Sequence, residues 1–345
     1  MANAPQNWDQ VFTDQTKIGR DHQRTIPMGQ ALLDDHLKYV KDEGHSDQWQ
    51  NIEFVRQMGS GSFGSVWEVR TRQKLKKDGL RKIMFWQKWE NLRLACKVMT
   101  YKNSQFGNVR NSVNTMLADL QRLQFIEHKN IVKYVDFIGI PDPQTGFPYS
   151  RILMLMELCN GDIDSFIRGS HTMNEKQTIG WLKQIVSAIC YLHYEQYMVH
   201  MDIKPQNILY KKVGFSCCQR LYKLGDFGFA IVYNKNQPMQ ETMFPGGTMD
   251  YLAPEWVQAH GNPFGNAGQW GTPVETPPTD IYSLGASVVN CLVGNNIYQG
   301  TNVYMLLQNI QNISTPFKDL ILQMINQDPL HRPDAQTLSD QLNYL

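Results

Sequence analysis

One short stretch, residues 200–209, constrains this chain of 345 residues more than any other; it reads His-Met-Asp-Ile-Lys-Pro-Gln-Asn-Ile-Leu. Asp202, Lys204 and Asn207 are near enough along the chain for one compact loop to present a carboxylate, an ammonium and an amide to the same small volume. Nineteen residues after the asparagine, Asp226 begins an Asp-Phe-Gly turn, which Gly228 allows to bend sharply. Together these groups favour a site for metal-bound phosphate.

These residues resemble the catalytic loop and the metal-binding turn of eukaryotic-type protein kinases, whose signatures are H-R-D-L-x-x-x-N and D-F-G. The resemblance implies that Asp202 is the catalytic base, which accepts the proton of the substrate hydroxyl, and that Lys204 neutralises charge on the transferring phosphoryl group. It implies that Asn207 and Asp226 coordinate Mg²⁺, so the cofactors are ATP and Mg²⁺. Each residue alone is more often a surface or capping group, but four in register leave little room for chance.

The residues just before the base are given other roles. His200 is implied to be structural, packed beneath Phe227. Met201 replaces the arginine that ordinarily binds a phosphorylated residue of the activation loop, so we expect no ordinary dependence on that switch. The wording H-M-D-I-K-P also occurs in Wee-type cell-cycle kinases. The intact Asp-Phe-Gly and Ala-Pro-Glu motifs do not follow that group, so its specificity is not carried over.

A glycine-rich segment between two strand-like stretches fits the pattern G-x-G-x-x-G-x-V. Glycines allow a turn to press its backbone N–H groups onto phosphates. A Rossmann-type turn would be followed by a helix, whereas residues 66–69 continue as a strand, so the kinase form is favoured. The resemblance assigns ATP binding here to Gly59, Ser60, Gly61, Ser62, Phe63, Gly64 and Val66.

Lys97 lies in the sequence Ala-Cys-Lys-Val, similar to the family's V-A-I-K strand, and the resemblance implies that it holds the α and β phosphates. A lysine on a strand usually faces solvent, so this assignment depends on its place after the glycine-rich segment. Its carboxylate partner is ordinarily a glutamate on the next helix, and Asp119 stands there. Because Asp is one methylene shorter, the pair requires an inward shift of the helix or a bridging water. Glu127 is the nearest other candidate, at the helix end.

Adenine recognition is expected where a predicted strand ends. The resemblance makes Met156 the gatekeeper and assigns the adenine edge to backbone groups of Glu157 and Cys159. Either Asp162 or Asp164 could reach the ribose. The resemblance implies that three apolar residues enclose the adenine ring; they are Val66, Ala95 and Leu209. Such residues are equally typical of an ordinary core, and the two roles are compatible.

Strand and helix patterning predicts the fold class. Strands are predicted at residues 52–55, 65–69, 94–99 and 151–156, with a helix between the last two, and helices at 178–194, 279–293 and 317–325. Strands with one helix, then a helix-rich remainder, predict an α+β chain in two lobes. With the resemblance this is the two-lobed protein-kinase fold, which has a small β-rich N-lobe with one main helix and a larger helical C-lobe. The expected domains are an N-terminal extension at 1–50, the N-lobe at 51–157 and the C-lobe at 158–345.

Further residues of the C-lobe are implied to support the site. Glu255 is expected to be buried against Arg332, and Asp280 to brace the catalytic loop from a buried helix. A lysine two residues after the base, with Thr248 before the Ala-Pro-Glu motif, is the arrangement of serine/threonine kinases. The resemblance therefore implies transfer to Ser or Thr hydroxyl groups of protein substrates.

Composition limits the classes of function. The formal net charge of +1 provides no global attraction to nucleic acid or to anionic membranes. The 6 cysteines show no zinc spacing and indicate free thiols in a reducing compartment. The polar first thirty residues lack a signal-peptide core, and the longest apolar run, residues 152–156, is too short to span a bilayer. We expect an intracellular protein of the cytoplasm or nucleus, with no membrane partner.

A basic segment with aromatic residues, 70–89, has no counterpart in the family. Such a composition can bind nucleic acid or an acidic partner. The alternative is an elongated, solvated hairpin whose aromatic side chains pack on the lobe, and the sequence favours it.

Two hypotheses from different classes describe the whole chain. The first is an active Ser/Thr protein kinase. The second is a pseudokinase that acts as a nucleotide-binding or scaffolding module, and its support comes from the departures at Asp119 and Met201. The phosphate-binding lysine, the base and both metal-binding residues match the family, which favours the enzyme.

Overall fold

The computed structural model describes residues 52–61, 64–71, 93–100, 123, 125–140, 151–168, 171–213, 219–232, 248–260, 277–294, 297 and 300–345. Several predictions lie outside these ranges: the N-terminal extension, most of the basic segment 70–89, the main N-lobe helix with Asp119, and Ser62 and Phe63. The described residues belong to two compact units. One is drawn from residues 1–125 and 133–158, and the other from residues 126–132 and 159–345.

The first unit contains a five-stranded antiparallel sheet with the order β1-β2-β3-β5-β4. Its strands are β1 (Ile52–Gly61), β2 (Gly64–Thr71), β3 (Arg93–Thr100), β4 (Tyr134–Ile140) and β5 (Arg151–Glu157). Successive side chains of a strand point to opposite faces, so alternate residues can fill one apolar cluster. Phe54 and Trp67 meet edge to face in that cluster, with ring centroids 5.6 Å apart.

The second unit is mainly helical. Its helices are α1 (Ile163–Ile167), α2 (Glu175–Cys190), α3 (Pro254–His260), α4 (Pro277–Val293), α5 (Val303–Gln308), α6 (Thr315–Met324) and α7 (Ala335–Asn343). Short polar residues precede five of them, because their side chains accept a backbone N–H of the first turn; they are Asp162, Asn174, Asn302, Ser314 and Asp334. In the part of the chain that the structure describes, no helix is both long and apolar enough to cross a membrane.

Helix α4 is the centre of the second unit, since every residue from position 279 to position 292 is buried. A helix buried on all sides forms the core of its domain. Gly285 lies where the end of α6 packs against it. A Cβ at this glycine would be 2.7 Å from Cγ2 of Ile325 and 2.9 Å from Cβ of Met324.

Two small sheets hold the loop that carries the candidate site. β7 (Met198–Val199) pairs with β10 (Ile231–Val232), while β6 (Gly161–Asp162), β8 (Ile208–Lys212) and β9 (Arg220–Leu224) form an antiparallel sheet. Residues 200–207 run from the end of β7, through a 3-10 turn at Pro205–Asn207, into β8. Strand pairing therefore fixes the loop at both ends.

The predicted α+β class is confirmed, with a β-rich unit and a helical unit. The predicted strands and the three predicted C-lobe helices are found, most of them slightly longer than their patterns indicate, while the predicted N-lobe helix lies outside the described residues. Residues 126–132 pack with the second unit, where the N–H of Val132 donates to the carbonyl oxygen of Leu224 at 2.9 Å. The domain bounds stated from the sequence stay a prediction.

Two helical glycines give a matched test of the packing around α4. Gly285→Ala places a methyl group in the closed contact with α6, so we expect the free energy of unfolding to fall by roughly 1–3 kcal/mol. Gly180→Ala lies on the exposed side of α2 with nothing within 4 Å of the added Cβ. It should raise the free energy of unfolding by up to about 1 kcal/mol, because alanine is the better helix former. Chemical denaturation measures both, and a gain in stability from Gly285→Ala would contradict the described contact.

Candidate active site

Asp202 is the centre of a closed hydrogen-bond network in the second unit, and its side chain is buried. Its Oδ1 accepts from Oγ1 of Thr248 at 2.9 Å. Its Oδ2 accepts from Nζ of Lys204 at 2.8 Å and from Nδ2 of Asn207 at 2.9 Å. Burial disfavours a charged carboxylate unless donors compensate it, and three donors do so here. They also hold the carboxylate in one orientation.

Lys204 and Thr248 also bind each other, which closes this network. The ammonium of Lys204 donates to Oγ1 of Thr248 at 2.6 Å, and the same hydroxyl donates to Asp202. A threonine hydroxyl both accepts and donates, so it can bridge a lysine and a carboxylate. The segment before α3 is thereby joined to the catalytic loop, 46 residues earlier in the chain.

The amide of Asn207 is oriented by hydrogen bonds to Asp202. Its amide nitrogen donates to the backbone carbonyl oxygen of Asp202 at 2.8 Å as well as to the carboxylate, which directs the amide oxygen away from both. Amide and carboxylate oxygens suit Mg²⁺, which binds through one or two protein groups and keeps waters and phosphate oxygens. The residue types at 207 and 226 therefore fit this ion. Among the described residues, no group of three or more His, Cys, Asp or Glu side chains is arranged to hold a metal.

Asp280 anchors the catalytic loop from helix α4. Its carboxylate is fully buried, and it accepts the backbone N–H of His200 at 2.8 Å and that of Met201 at 2.9 Å. Nε2 of His193 lies 2.9 Å from the same carboxylate. A carboxylate in the core requires such partners. The predicted bracing role of Asp280 is confirmed.

His200 connects the catalytic loop to the Asp-Phe-Gly turn. Its ring meets Phe227 edge to face at 4.7 Å between centroids, and Nε2 lies 3.0 Å from the carbonyl oxygen of Gly225. Nδ1 accepts the backbone N–H of Asp202 at 3.3 Å, so the proton belongs on Nε2. Burial lowers the pKa of this imidazole, against the opposing effect of Asp280 and other nearby carboxylates. The ring is therefore neutral at physiological pH, and its predicted packing role is confirmed.

Two residues of the site adopt the left-handed backbone conformation, with a φ of 66° at Met201 and 61° at Asp226. Residues other than glycine rarely do so, and the surrounding contacts must hold them there. Met201 is held by an apolar cluster that also contains Val199, Leu252 and Trp256. Core packing thus occupies the position where the family usually has an arginine.

Glu255 and Arg332 form a two-pronged ion pair. Nη1 donates to Oε1 and Nη2 to Oε2, both at 2.6 Å. The arginine side chain is 0% exposed and the glutamate side chain 15%. The guanidinium also donates to the backbone carbonyl oxygens of Asn326 and Pro278. The predicted pair is confirmed, and it joins α3 to the turn before α7.

In the first unit, the glycine-rich segment supplies the end of β1 and the start of β2, where Gly61 pairs with Gly64. Gly64 has a φ of 141°, and a Cβ there would lie 1.9 Å from the carbonyl oxygen of Val98, so the position requires glycine. Strand β3 places Lys97 opposite Val66 on β2 and opposite Met154 on β5.

The end of β5 carries the predicted adenine-binding residues. Met156 pairs with Ala95 of β3, and both side chains are buried. The backbone N–H of Glu157 donates to the carbonyl oxygen of Lys133 at 2.9 Å, and Oε1 of Glu157 accepts the N–H of Lys133 at 2.8 Å. That N–H is therefore engaged within the first unit, and the assignment of backbone groups of Glu157 to the adenine edge stays a prediction.

The predicted site residues are distributed over both units. The second unit brings together Asp202, Lys204 and Asn207, and the N–H of Gly225 donates to the carbonyl oxygen of Asn207 at 2.9 Å, next to Asp226. Leu209 and Cys159 also belong to the second unit. The first unit holds Gly59, Ser60, Gly61, Gly64, Val66, Ala95, Lys97, Met156 and Glu157. Asp119, Ser62 and Phe63 lie outside the described residues, and the ATP-binding roles of all these residues stay predictions.

The two carboxylates considered for ribose both have partners within the second unit. Asp162 caps α1 by accepting the backbone N–H of Ser165 at 2.6 Å. Asp164 is buried, accepts from Nε2 of Gln206 at 2.8 Å and pairs with Arg168. Desolvation raises the pKa of Asp164 despite the adjacent guanidinium. Sequence reasoning missed the contact with the catalytic loop; an aspartate at a helix start signals a cap, but nothing local links positions 42 residues apart.

Comparison with known proteins adds independent information. A family model described as protein kinase domain matches residues 52–342. The chain is 28% identical over 303 residues to a probable serine/threonine-protein kinase nek2 of Dictyostelium discoideum, which covers 83% of this chain and 61% of that protein. It is 28% identical over 235 residues to the SNF-related serine/threonine-protein kinase of Homo sapiens, which covers 65% of this chain and 27% of that protein.

A third relative is the membrane-associated tyrosine- and threonine-specific cdc2-inhibitory kinase wee-1.3 of Caenorhabditis briggsae. It is 25% identical over 329 residues, which cover 93% of this chain and 42% of that protein. The chain thus spans between 27% and 61% of the length of these three relatives.

The Glu255–Arg332 pair gives a test of stability. Glu255→Gln leaves the buried guanidinium without its counter-charge, and we expect the free energy of unfolding to fall by roughly 3–5 kcal/mol. Adding Arg332→Met should recover part of that loss, because the uncompensated charge is removed. Chemical denaturation of both single variants and the double variant measures the coupling. Strictly additive losses would show that the two side chains do not interact.

Proposed function

The chain belongs to the protein kinase family, and from this premise we propose that it transfers the γ-phosphoryl group of Mg-ATP to Ser or Thr hydroxyl groups of protein substrates. The observation that carries the proposal is the buried carboxylate of Asp202 held by Thr248, Lys204 and Asn207. Phosphoryl transfer depends on positioning and electrostatics more than on covalent chemistry by the protein, and a carboxylate fixed in this way serves both.

Each residue of the network has a part in this proposal. Asp202 accepts the hydrogen bond of the substrate hydroxyl, aims its oxygen and takes its proton. Lys204 holds a positive charge next to that carboxylate, where charge on the transferred group is neutralised. Asn207 fixes the carboxylate through its amide nitrogen and offers its oxygen, with Asp226, to the metal ion. Bound Mg-ATP supplies the phosphoryl group and its charge compensation.

The first unit contributes phosphate and adenine binding in this proposal. Position 64, at the start of β2, requires glycine because a Cβ there would clash with the carbonyl oxygen of Val98. Lys97 holds the α and β phosphates, with Asp119 as its carboxylate partner. Backbone groups of Glu157 and Cys159 form hydrogen bonds with the polar edge of the adenine ring.

The acceptor class is supported by the contact between Lys204 and Thr248, which places a threonine hydroxyl against the catalytic base. Two of the three relatives described above carry serine/threonine-protein kinase in their names, and the third is named as tyrosine- and threonine-specific. Met201, a departure that favours a pseudokinase, packs in the apolar cluster and takes no part in the network. The enzyme is therefore the better reading of the site.

The test is phosphate transfer from labelled ATP with Mg²⁺, both to a generic basic protein and to the chain itself. Asp202→Asn keeps the shape of the side chain but removes the base, so we expect transfer to fall by about a hundredfold or more. Asp319→Asn, on the exposed side of α6, makes the same chemical change outside the site and should retain activity. Phosphoamino acid analysis of the product should show phosphoserine or phosphothreonine.

Two outcomes of this experiment would contradict the proposal. If neither wild type nor variant transfers label, while ATP with Mg²⁺ still raises the melting temperature, the chain is a nucleotide-binding scaffold. If transfer occurs at equal rates in wild type and Asp202→Asn, the role given to the carboxylate is wrong.

A further inference from the structure

Arg220, the first residue of β9, has its guanidinium against two aromatic rings. Its Cζ lies 5.1 Å from the ring centre of Phe166 in α1 and 4.9 Å from that of Tyr210 in β8. Tyr210 is itself packed near Tyr222, with ring centres 6.3 Å apart. Gly161 leaves room for the ring, since a Cβ there would be 2.9 Å from the Tyr210 hydroxyl oxygen. Contacts with two rings restrict the guanidinium to a defined orientation.

This guanidinium has no counter-ion among the described residues. Its Nε is buried and has no hydrogen-bond partner within the described ranges. The carboxylates at the start of the neighbouring helix α1 are committed elsewhere, because Asp162 caps that helix while Asp164 accepts from Gln206 and pairs with Arg168. An oriented guanidinium that pairs with no acid in the described part of the chain is suited to a carboxylate or phosphate of a partner.

The residue paired with Arg220 on the adjacent strand is also positively charged. Lys212 is exposed and stands directly opposite Arg220 in the pairing of β8 with β9, so both side chains lie on the same face as Tyr210. Like charges placed opposite each other destabilise a sheet, and an anion between them would relieve this. Of the four basic residues at 210–223, Lys212 and Arg220 share this face, while Lys211 and Lys223 lie on the other one; the segment contains no Asp or Glu.

We propose that Arg220, Lys212, Tyr210 and Phe166 form a docking site for an acidic peptide segment of a protein partner. A carboxylate of the peptide bridges the guanidinium and the ammonium, and the two rings contact the apolar part of the neighbouring peptide residues. None of these four residues takes part in the proposed phosphoryl transfer, so either proposal can fail without the other.

The dimensions favour a short acidic peptide over a nucleic acid. Neighbouring residues of a strand are about 3.3 Å apart and paired strands about 5 Å. The surface that the two opposed cations and the adjacent rings cover is therefore only roughly one nanometre across. This is enough for one or two anionic groups. Nucleic-acid binding instead takes several phosphate contacts along a backbone.

The test is binding of a fluorescein-labelled peptide with a Glu-Glu-Leu-Glu core to the full chain, followed by fluorescence anisotropy. A peptide with Gln in place of Glu is the neutral control. We expect the acidic peptide to bind more tightly and its advantage to shrink as the salt concentration rises. Arg220→Gln should lower the affinity about tenfold or more, and Arg220→Lys should lower it less, because charge is kept but the planar fork is lost.

Lys176→Gln is the matched control, since it removes one exposed positive charge at the start of α2 and should bind the acidic peptide like wild type. Thermal unfolding of each variant separates loss of binding from loss of fold, and Lys212→Gln provides a second test at an exposed residue. Equal binding by wild type, Arg220→Gln and Lys212→Gln, or equal binding of both peptides, would overturn the proposal. Displacement of the acidic peptide by a single-stranded oligonucleotide at a lower concentration of anionic groups would assign the site to nucleic acid instead.

Discussion

The order of the second unit depends on the burial of one carboxylate. Asp280 has no exposure to solvent, so its charge is tolerated only while its oxygens are fully hydrogen-bonded. The donors are the backbone N–H groups of His200 and Met201 and the ring of His193. These bonds fix the peptide groups immediately before Asp202. The geometry of the loop is therefore determined by a helix that lies wholly in the core.

Hydrogen bonds between segments that are distant in sequence connect this anchored loop to the rest of the site. His200 reaches Gly225, Asn207 holds Asp202, and Thr248 closes the carboxylate from the opposite side. No member of this set needs an arginine at position 201. The replacement by Met201 instead changes what holds the left-handed backbone, since apolar packing rather than charge occupies that position.

Sequence alone could predict what depends on local signals. The strands, the buried helix α4 and the motif residues have clear periodicity or fixed spacing, and the family resemblance extended the prediction to Asp280. The family resemblance singles out Lys204 and Thr248, but their contact joins positions 44 residues apart, and the fold is needed to show it. The helix predicted to run to residue 194 ends as α2 at Cys190 and is followed by a π-helical turn, Tyr191–Gln196. Apolar residues continue through that turn, so the sequence pattern does not mark the change from α-helix to π-helix.

The distance along the chain between Asp280 and the loop it holds matters during synthesis. The N–H groups that it accepts precede it by 80 and 79 residues. At about 5–20 residues per second, the loop leaves the ribosome roughly 4–16 s before the helix that anchors it. A nascent chain that already contains every residue of the loop therefore still lacks an assembled site. The site can assemble only after α4 has been synthesised. A chain halted before that helix would contain all of residues 200–209 without their native geometry.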